Sequence, residues 1–158
     1  MACAASLAVI KVIEQENLLQ NIQEQGVYLG IGLYPVHDYP VDFLSESLLI
    51  KELTGQGARA APFVFDIRGC GGFWAIEFDF ENAKPDFKGP SFAMLVQARA
   101  MENGLIIMGM TGGADLQGNK GDHIILSPSY NITKEEVKTI VTVFTRSINE
   151  VLDDFNIH

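Results

Sequence analysis

The stretch Phe63-Val-Phe-Asp-Ile-Arg68, Gly69-Cys-Gly-Gly72, Phe73-Trp-Ala-Ile-Glu-Phe-Asp-Phe80 decides the fold. Two runs rich in aromatic and β-branched residues flank a glycine cluster, which is the pattern of a β-hairpin with a loose turn. Downstream, a polar loop containing Pro85 and Pro90 leads into a predicted helix from Ser91 to Glu102. Asn103-Gly104 supplies its stop, because both residues tolerate the left-handed backbone that ends a helix. Leu105 to Met108 reads as a short strand, the loop Gly109 to Gly121 holds five glycines, and His123 to Leu126 reads as another strand.

The last element is the clearest. Thr133 and Glu136 have the spacing of a capping box, each side chain satisfying the other's orphan amide. Behind them Val137, Val141, Phe144, Ile148, Val151 and Phe155 step by three and four, a single apolar stripe.

Upstream, Leu7, Ile10, Leu18 and Ile22 recur near helical spacing, so one helix is expected from about Ala2 to Leu29. It opens on Ala2, Cys3, Ala4 and Ala5 with no Ser, Thr, Asp or Asn cap. Small residues in a row pack close against a neighbour, so the sequence is expected to begin inside a larger architecture. Gly30 to Ser45 has prolines and aromatics without a helical period and reads as irregular. An insert at 31–47 is expected, because removing it joins Tyr28-Leu-Gly30 to Leu48-Leu-Ile-Lys-Glu-Leu53 and restores the apolar period. Ser47 is also placed to cap a short helix through Leu53, closed by Gly55 and Gly57. The expected fold is one α+β domain over residues 1–158, a small, mostly antiparallel sheet with helices packed on one face.

Composition bounds the function. The chain has 158 residues, 47% hydrophobic and 20% charged, which suits one globular domain with a core. A net charge of −9 argues against nucleic acid and against an anionic membrane surface, both of which need clustered Lys and Arg. Cys3 and Cys70 have no metal-ligand spacing and fit a reducing compartment. The amino terminus has no basic leader, and Lys11, Glu14 and Glu16 interrupt its apolar run. A cytoplasmic location is expected, with a mitochondrial parent as the alternative.

Few residues suggest chemistry. The cluster Gly69 to Gly72 lies between two strands, whereas a phosphate cradle needs a helix to follow it. Gly109-Met-Thr-Gly-Gly113 fails the same test, although a loop over a ligand stays open there. Arg68 ends an apolar strand beside the turn, where it either clamps a substrate carboxylate bidentately or forms a structural ion pair. Glu77 and Asp79 share one strand face and are expected to point to solvent, and Trp74 is expected in the core or an interface. His37, His123 and His158 are scattered and make no triad with a nucleophile. No catalytic, cofactor-binding or metal-binding residue is assigned.

Three stretches together resemble the class III, pyridoxal-phosphate-dependent aminotransferases. They are the Ala-rich run Ala2-Cys-Ala-Ala-Ser-Leu-Ala-Val-Ile-Lys-Val-Ile13, the hairpin Asp66-Ile-Arg-Gly-Cys-Gly-Gly-Phe-Trp-Ala-Ile-Glu77, and Gly121-Asp-His-Ile-Ile-Leu-Ser-Pro-Ser-Tyr-Asn-Ile-Thr133 with the amphipathic helix behind it. The resemblance covers nearly the whole chain outside residues 30–47 and points to the carboxy-terminal small domain of that fold.

It implies a transaminase that moves an amino group to a keto acid or aldehyde, with pyridoxal phosphate as cofactor. It also implies a homodimer with sites at the subunit interface. The family's Schiff-base lysine, the acid at the pyridine nitrogen and the stacking aromatic map upstream of Met1. Lys11, Lys51, Lys84, Lys88, Lys120, Lys134 and Lys138 all fall on polar faces or loops, where nothing lowers a lysine pKa. Ile125 and Met108 stand where some members carry a carboxylate-binding arginine. The chain alone is therefore expected to be inactive and to need a large cofactor domain or a second subunit. A freestanding binding module without cofactor chemistry is the alternative. An apolar docking surface is expected on Ala2 to Ala8 and part of the hairpin.

Overall fold

The structure is a computed structural model describing residues 2–30, 47–116 and 120–157. The elements run α1 (Ala2–Gln15), α2 (Leu18–Leu29), α3 (Leu48–Thr54), β1 (Val64–Cys70), β2 (Phe73–Phe78), α4 (Phe92–Glu102), β3 (Met108–Met110), β4 (Asp122–Leu126) and α5 (Lys134–Asp154). The four strands form one sheet in the order β1-β2-β4-β3 with every pairing antiparallel. The α+β expectation holds. The stretch 31–46 expected as an insert lies outside the described residues, as do His37 and His158. Ser47 caps α3 as expected, its hydroxyl accepting from the Ile50 amide at 3.3 Å.

The single opening helix is corrected to two. Asn17 sits in the left-handed region (φ 51°) between α1 and α2 and makes no side-chain cap. Asparagine tolerates that backbone far better than most non-glycine residues. The break frees α2 to turn Ile22, Gly26 and Leu29 into the core. α1 stays outside, packed substantially only on α2 among the described elements.

The hairpin turn is tighter than expected. β1 runs on to Cys70, which pairs with Phe73, so the loop is only Gly71-Gly72, with Gly71 at φ 53°. β2 stops at Phe78 rather than Phe80. Beyond it Phe80 and Phe87 turn inward, with Phe80 stacked on Phe63 at 4.6 Å and Phe87 edge-on to Phe155 at 5.2 Å. β3 is Met108–Met110 rather than Leu105–Met108. The amides of Gly104 and Leu105 turn back to the Met101 and Ala100 carbonyls, so those residues finish α4 before any strand can begin. The same closure ends α5, where Asn156 (φ 54°) is left-handed and the Ile157 amide reaches the Leu152 carbonyl.

Period-two burial follows from the register. Trp74, Ile76, Phe78, Ile124 and Leu126 are buried on one face. They join Val137, Val141, Phe144 and Ile148 of α5 and Phe92 and Val96 of α4 in a single core. The capping box is present, Thr133 and Glu136 bonding reciprocally.

Candidate functional site

The sheet face turned away from this core carries the only candidate the sequence singled out. Pairing places Arg68, Ala75, Ile125 and Met108 in one row across all four strands, with Asp66, Glu77, His123 and Met110 in the next. Ile125 and Met108, assigned separately from sequence, are direct cross-strand partners. Met108, Met110 and Phe73 are exposed on this face. Phe65 is exposed at the β1 bulge between Val64 and Asp66.

Arg68 is held by two acids. Its Nη1 lies 2.9 Å from Asp66 Oδ2 and 2.7 Å from Glu77 Oε2. The bond to Asp66 leads in raising the guanidinium pKa; burial opposes it and Glu77 adds to it. Asp66 and Glu77 stand directly opposite each other, a like-charge pair that destabilises a ladder unless a cation bridges it. Arg68 is that bridge. Glu77 therefore departs from the solvent-facing expectation, its side chain being only 14% exposed. Asp79 is exposed and caps the Glu81 amide at 2.7 Å.

Trp74 is core, as expected, its Nε1 donating to the Gly71 carbonyl at 2.8 Å. His123 contacts the Gly121 carbonyl through Nδ1 at 2.7 Å. An open cleft of about 640 Å³ lies beside these groups, lined by Glu77, Phe80, Phe87, Lys120 and Asp122 among others. Asp122 was missed by sequence reasoning. It accepts from the Ala93 amide at 3.0 Å, helping to cap α4 together with Ser91. Burial pushes its carboxyl above the ordinary range, against hydrogen bonds from Ser91 and the Ala93 amide.

The lysines offer an aldehyde cofactor no desolvated amine. All seven lysines are exposed. The bond from Lys120 to Glu81 and that from Lys138 to Glu135 raise those two ammonium pKa values, the reverse of what a nucleophilic amine needs. The helix amino termini offer little to a phosphate either. Asp122 occupies the start of α4, and Glu136 occupies the start of α5. Among the described residues no group of three or more His, Cys, Asp or Glu is arranged to hold a metal. No described helix is long and apolar enough to cross a membrane.

No family model matches the chain. An aminotransferase of Gibberella zeae is 32% identical over 144 residues, 90% of this chain and 24% of that protein. The 4-aminobutyrate aminotransferase of Escherichia coli is 34% identical over 110 residues, 68% of this chain and 20% of that protein. The chain is homologous to part of a class III aminotransferase. It spans about a quarter of the length of the curated relatives it matches, consistent with their carboxy-terminal domain. A transaminase from the marine bacterium Virgibacillus shares the fold over 97% of this chain and 29% of its own, with a TM-score of 0.69 at 22% identity. An amine transaminase from an uncultivated Pseudomonas species, solved in its PLP-bound form, covers 95% of this chain and 27% of its own at a TM-score of 0.61 and 23% identity. The class III family uses pyridoxal phosphate. The described residues of this chain do not fit that group as its covalent holder.

Proposed function

We propose that this chain is the carboxy-terminal small domain of a pyridoxal-phosphate-dependent transaminase that transfers an amino group to a keto acid or aldehyde. The cofactor and its lysine belong to a separate large domain or a second subunit, in an assembly that is dimeric like its family. The exposure of all seven lysines is the observation that carries this reading. Amino-group transfer of this kind needs an amine held partly neutral, which a solvated ammonium is not. Arg68 is kept as the candidate substrate-side contact. An incoming carboxylate would have to displace Asp66 or Glu77 from it, so the structural ion pair is the stronger of its two roles. The free, exposed Cys3 and Cys70 support a reducing compartment such as the cytoplasm.

The test is a transamination assay of the isolated chain with added cofactor, across several amino donors and keto-acid or aldehyde acceptors. No turnover above free cofactor is expected. Sustained turnover by the chain alone contradicts the reading.

A further inference from the structure

Asn103-Gly104 is the only Asn-Gly pair among the 158 residues. Asparagine is a thermolabile side chain. A glycine after it leaves the following amide nitrogen uncrowded, because glycine has no Cβ. Self-attack in such a pair needs only water. The Gly104 nitrogen gives its proton to solvent and bonds to Asn103 Cγ, the Cγ–Nδ2 bond breaks, and Nδ2 takes up a proton and leaves as ammonia. Water then opens the succinimide at either carbonyl, which leaves an aspartate or an isoaspartate at position 103.

Crowding does not bar this reaction. Gly104 is exposed at φ 86°, with nothing within 4 Å of where a Cβ would stand. The fold bars it in two other ways. Asn103 has ψ 3°, which eclipses the Gly104 nitrogen with Asn103's own nitrogen, whereas ring closure needs it swung round to the side-chain side. The Gly104 amide is also bonded to the Met101 carbonyl at 3.1 Å. The side chain itself is tied to α5, with Nδ2 donating to Ser147 and Glu150 and Oδ1 accepting from Arg146. Attack on Cγ therefore requires the α4–α5 seam to open, and local openings cost less than global unfolding. We propose that Asn103 is a deamidation site gated by the α4–α5 seam, a one-way mark acquired by chains in which these two helices have parted. The product does not restore the seam. A carboxylate at position 103 has no N–H to give to Ser147 or Glu150. It also confronts the Glu150 carboxylate, and Arg146, already paired with Glu150 at 3.0 Å, is shared between the two acids. Isoaspartate further adds a backbone methylene where the Gly104 and Leu105 amides turn back to close α4. The site is independent of the aminotransferase reading.

The experiment incubates the full 158-residue chain near neutral pH, in buffer and in urea, and follows every asparagine by peptide mass spectrometry. Conversion is expected at Asn103 ahead of all other asparagines, and about tenfold or more faster in urea than in buffer. Ser147→Ala and Glu150→Ala each remove an acceptor of Nδ2. Each should speed the reaction in buffer about tenfold, the effect of one lost hydrogen bond, and leave the rate in urea unchanged. Arg59→Ala loosens the other end of α5 and controls for general destabilisation, so it should speed the reaction less. Equal rates in buffer and urea, or no conversion at Asn103 in either, overturns the proposal. So does an Arg59→Ala effect as large as those of Ser147→Ala and Glu150→Ala, which would assign control to global unfolding. Asn103→Asp stands for the aspartate product, and its thermal midpoint should fall below that of the parent. An unchanged or raised midpoint overturns the claim that the product leaves the seam weakened.

Discussion

Gly26 of α2 lies against the carbonyl of Gly71 at the hairpin tip, so close that a Cβ at position 26 would stand 1.9 Å from that oxygen. One turn later Gly30 meets the Trp74 indole in the same way, at 2.6 Å from its ring. The helix and the hairpin therefore approach backbone to backbone. The Gly71 carbonyl also accepts the Trp74 Nε1 proton, which pins the tip beneath the helix.

Gly26→Ala tests this crossing. Alanine favours a helix interior by about 1 kcal/mol over glycine. The clash outweighs that gain, because no side chain can yield and the backbone must move. A net loss of about 2 kcal/mol in urea unfolding is expected. An unchanged or raised midpoint would mean that α2 does not cross the hairpin here.

The seam between α4 and α5 rests on Asn103. Its Nδ2 donates to Ser147 Oγ at 3.0 Å and to Glu150 Oε2 at 2.9 Å, and its Oδ1 accepts from Arg146. Asn103→Ala removes all three and leaves the fully buried Ser147 hydroxyl only its bond to the Val143 carbonyl. A destabilisation of about 1–3 kcal/mol is expected from denaturant titration, with unfolding still two-state.

Asp122 sets a pH dependence. Its folded pKa is raised by burial, so its contribution is fully present below the ordinary aspartate value near ~4 and is lost as pH rises through the folded value. Asp122→Asn removes that titration. Wild-type stability minus that of the variant should therefore fall as pH rises from about 3 to 7. A difference that grows with pH would show that the hydrogen bonds from Ser91 and Ala93 outweigh the burial.

Arg59 closes the far end of α5. Its Nη2 donates to the Ile157 carbonyl at 3.0 Å, and its Nη1 pairs with Asp153 at 2.7 Å. Arg59→Ala should cost about 1 kcal/mol in thermal or urea unfolding, most of it through the carbonyl, since the half-exposed ion pair is screened by salt. A loss that vanishes in high salt would assign the effect to Asp153 instead.

Much of the fold was legible where periodicity is strong. The α5 stripe and the Thr133–Glu136 box depend on residues within one helix, and the hairpin depends on two runs around a glycine cluster. The break at Asn17 was not legible, because Gln15, Glu16 and Asn17 include no glycine or proline. What selects it is the distant demand that Ile22 and Gly26 face the hairpin tip. The shift of β3 has a similar origin. Leu105 and Ile107 look like strand residues, but they pack on the core while the Gly109 amide bonds to Gln97 Oε1 of α4 at 2.6 Å. At the candidate site the fine register was hidden until the two-residue turn was known. Only that register sets Asp66 opposite Glu77 and makes Arg68 their bridge. Asp122 gave no local signal, since the amide it accepts from belongs to Ala93, 29 residues earlier.

The central claim is that the chain is a transaminase domain without a cofactor lysine of its own. Borohydride reduction after incubation with pyridoxal phosphate, followed by peptide mapping, tests it most directly. Sparse labelling spread over Lys11, Lys51, Lys84, Lys88, Lys120, Lys134 and Lys138 is expected, as befits seven exposed amines. Stoichiometric labelling at one of them, coupled to amino-group transfer, would contradict the account.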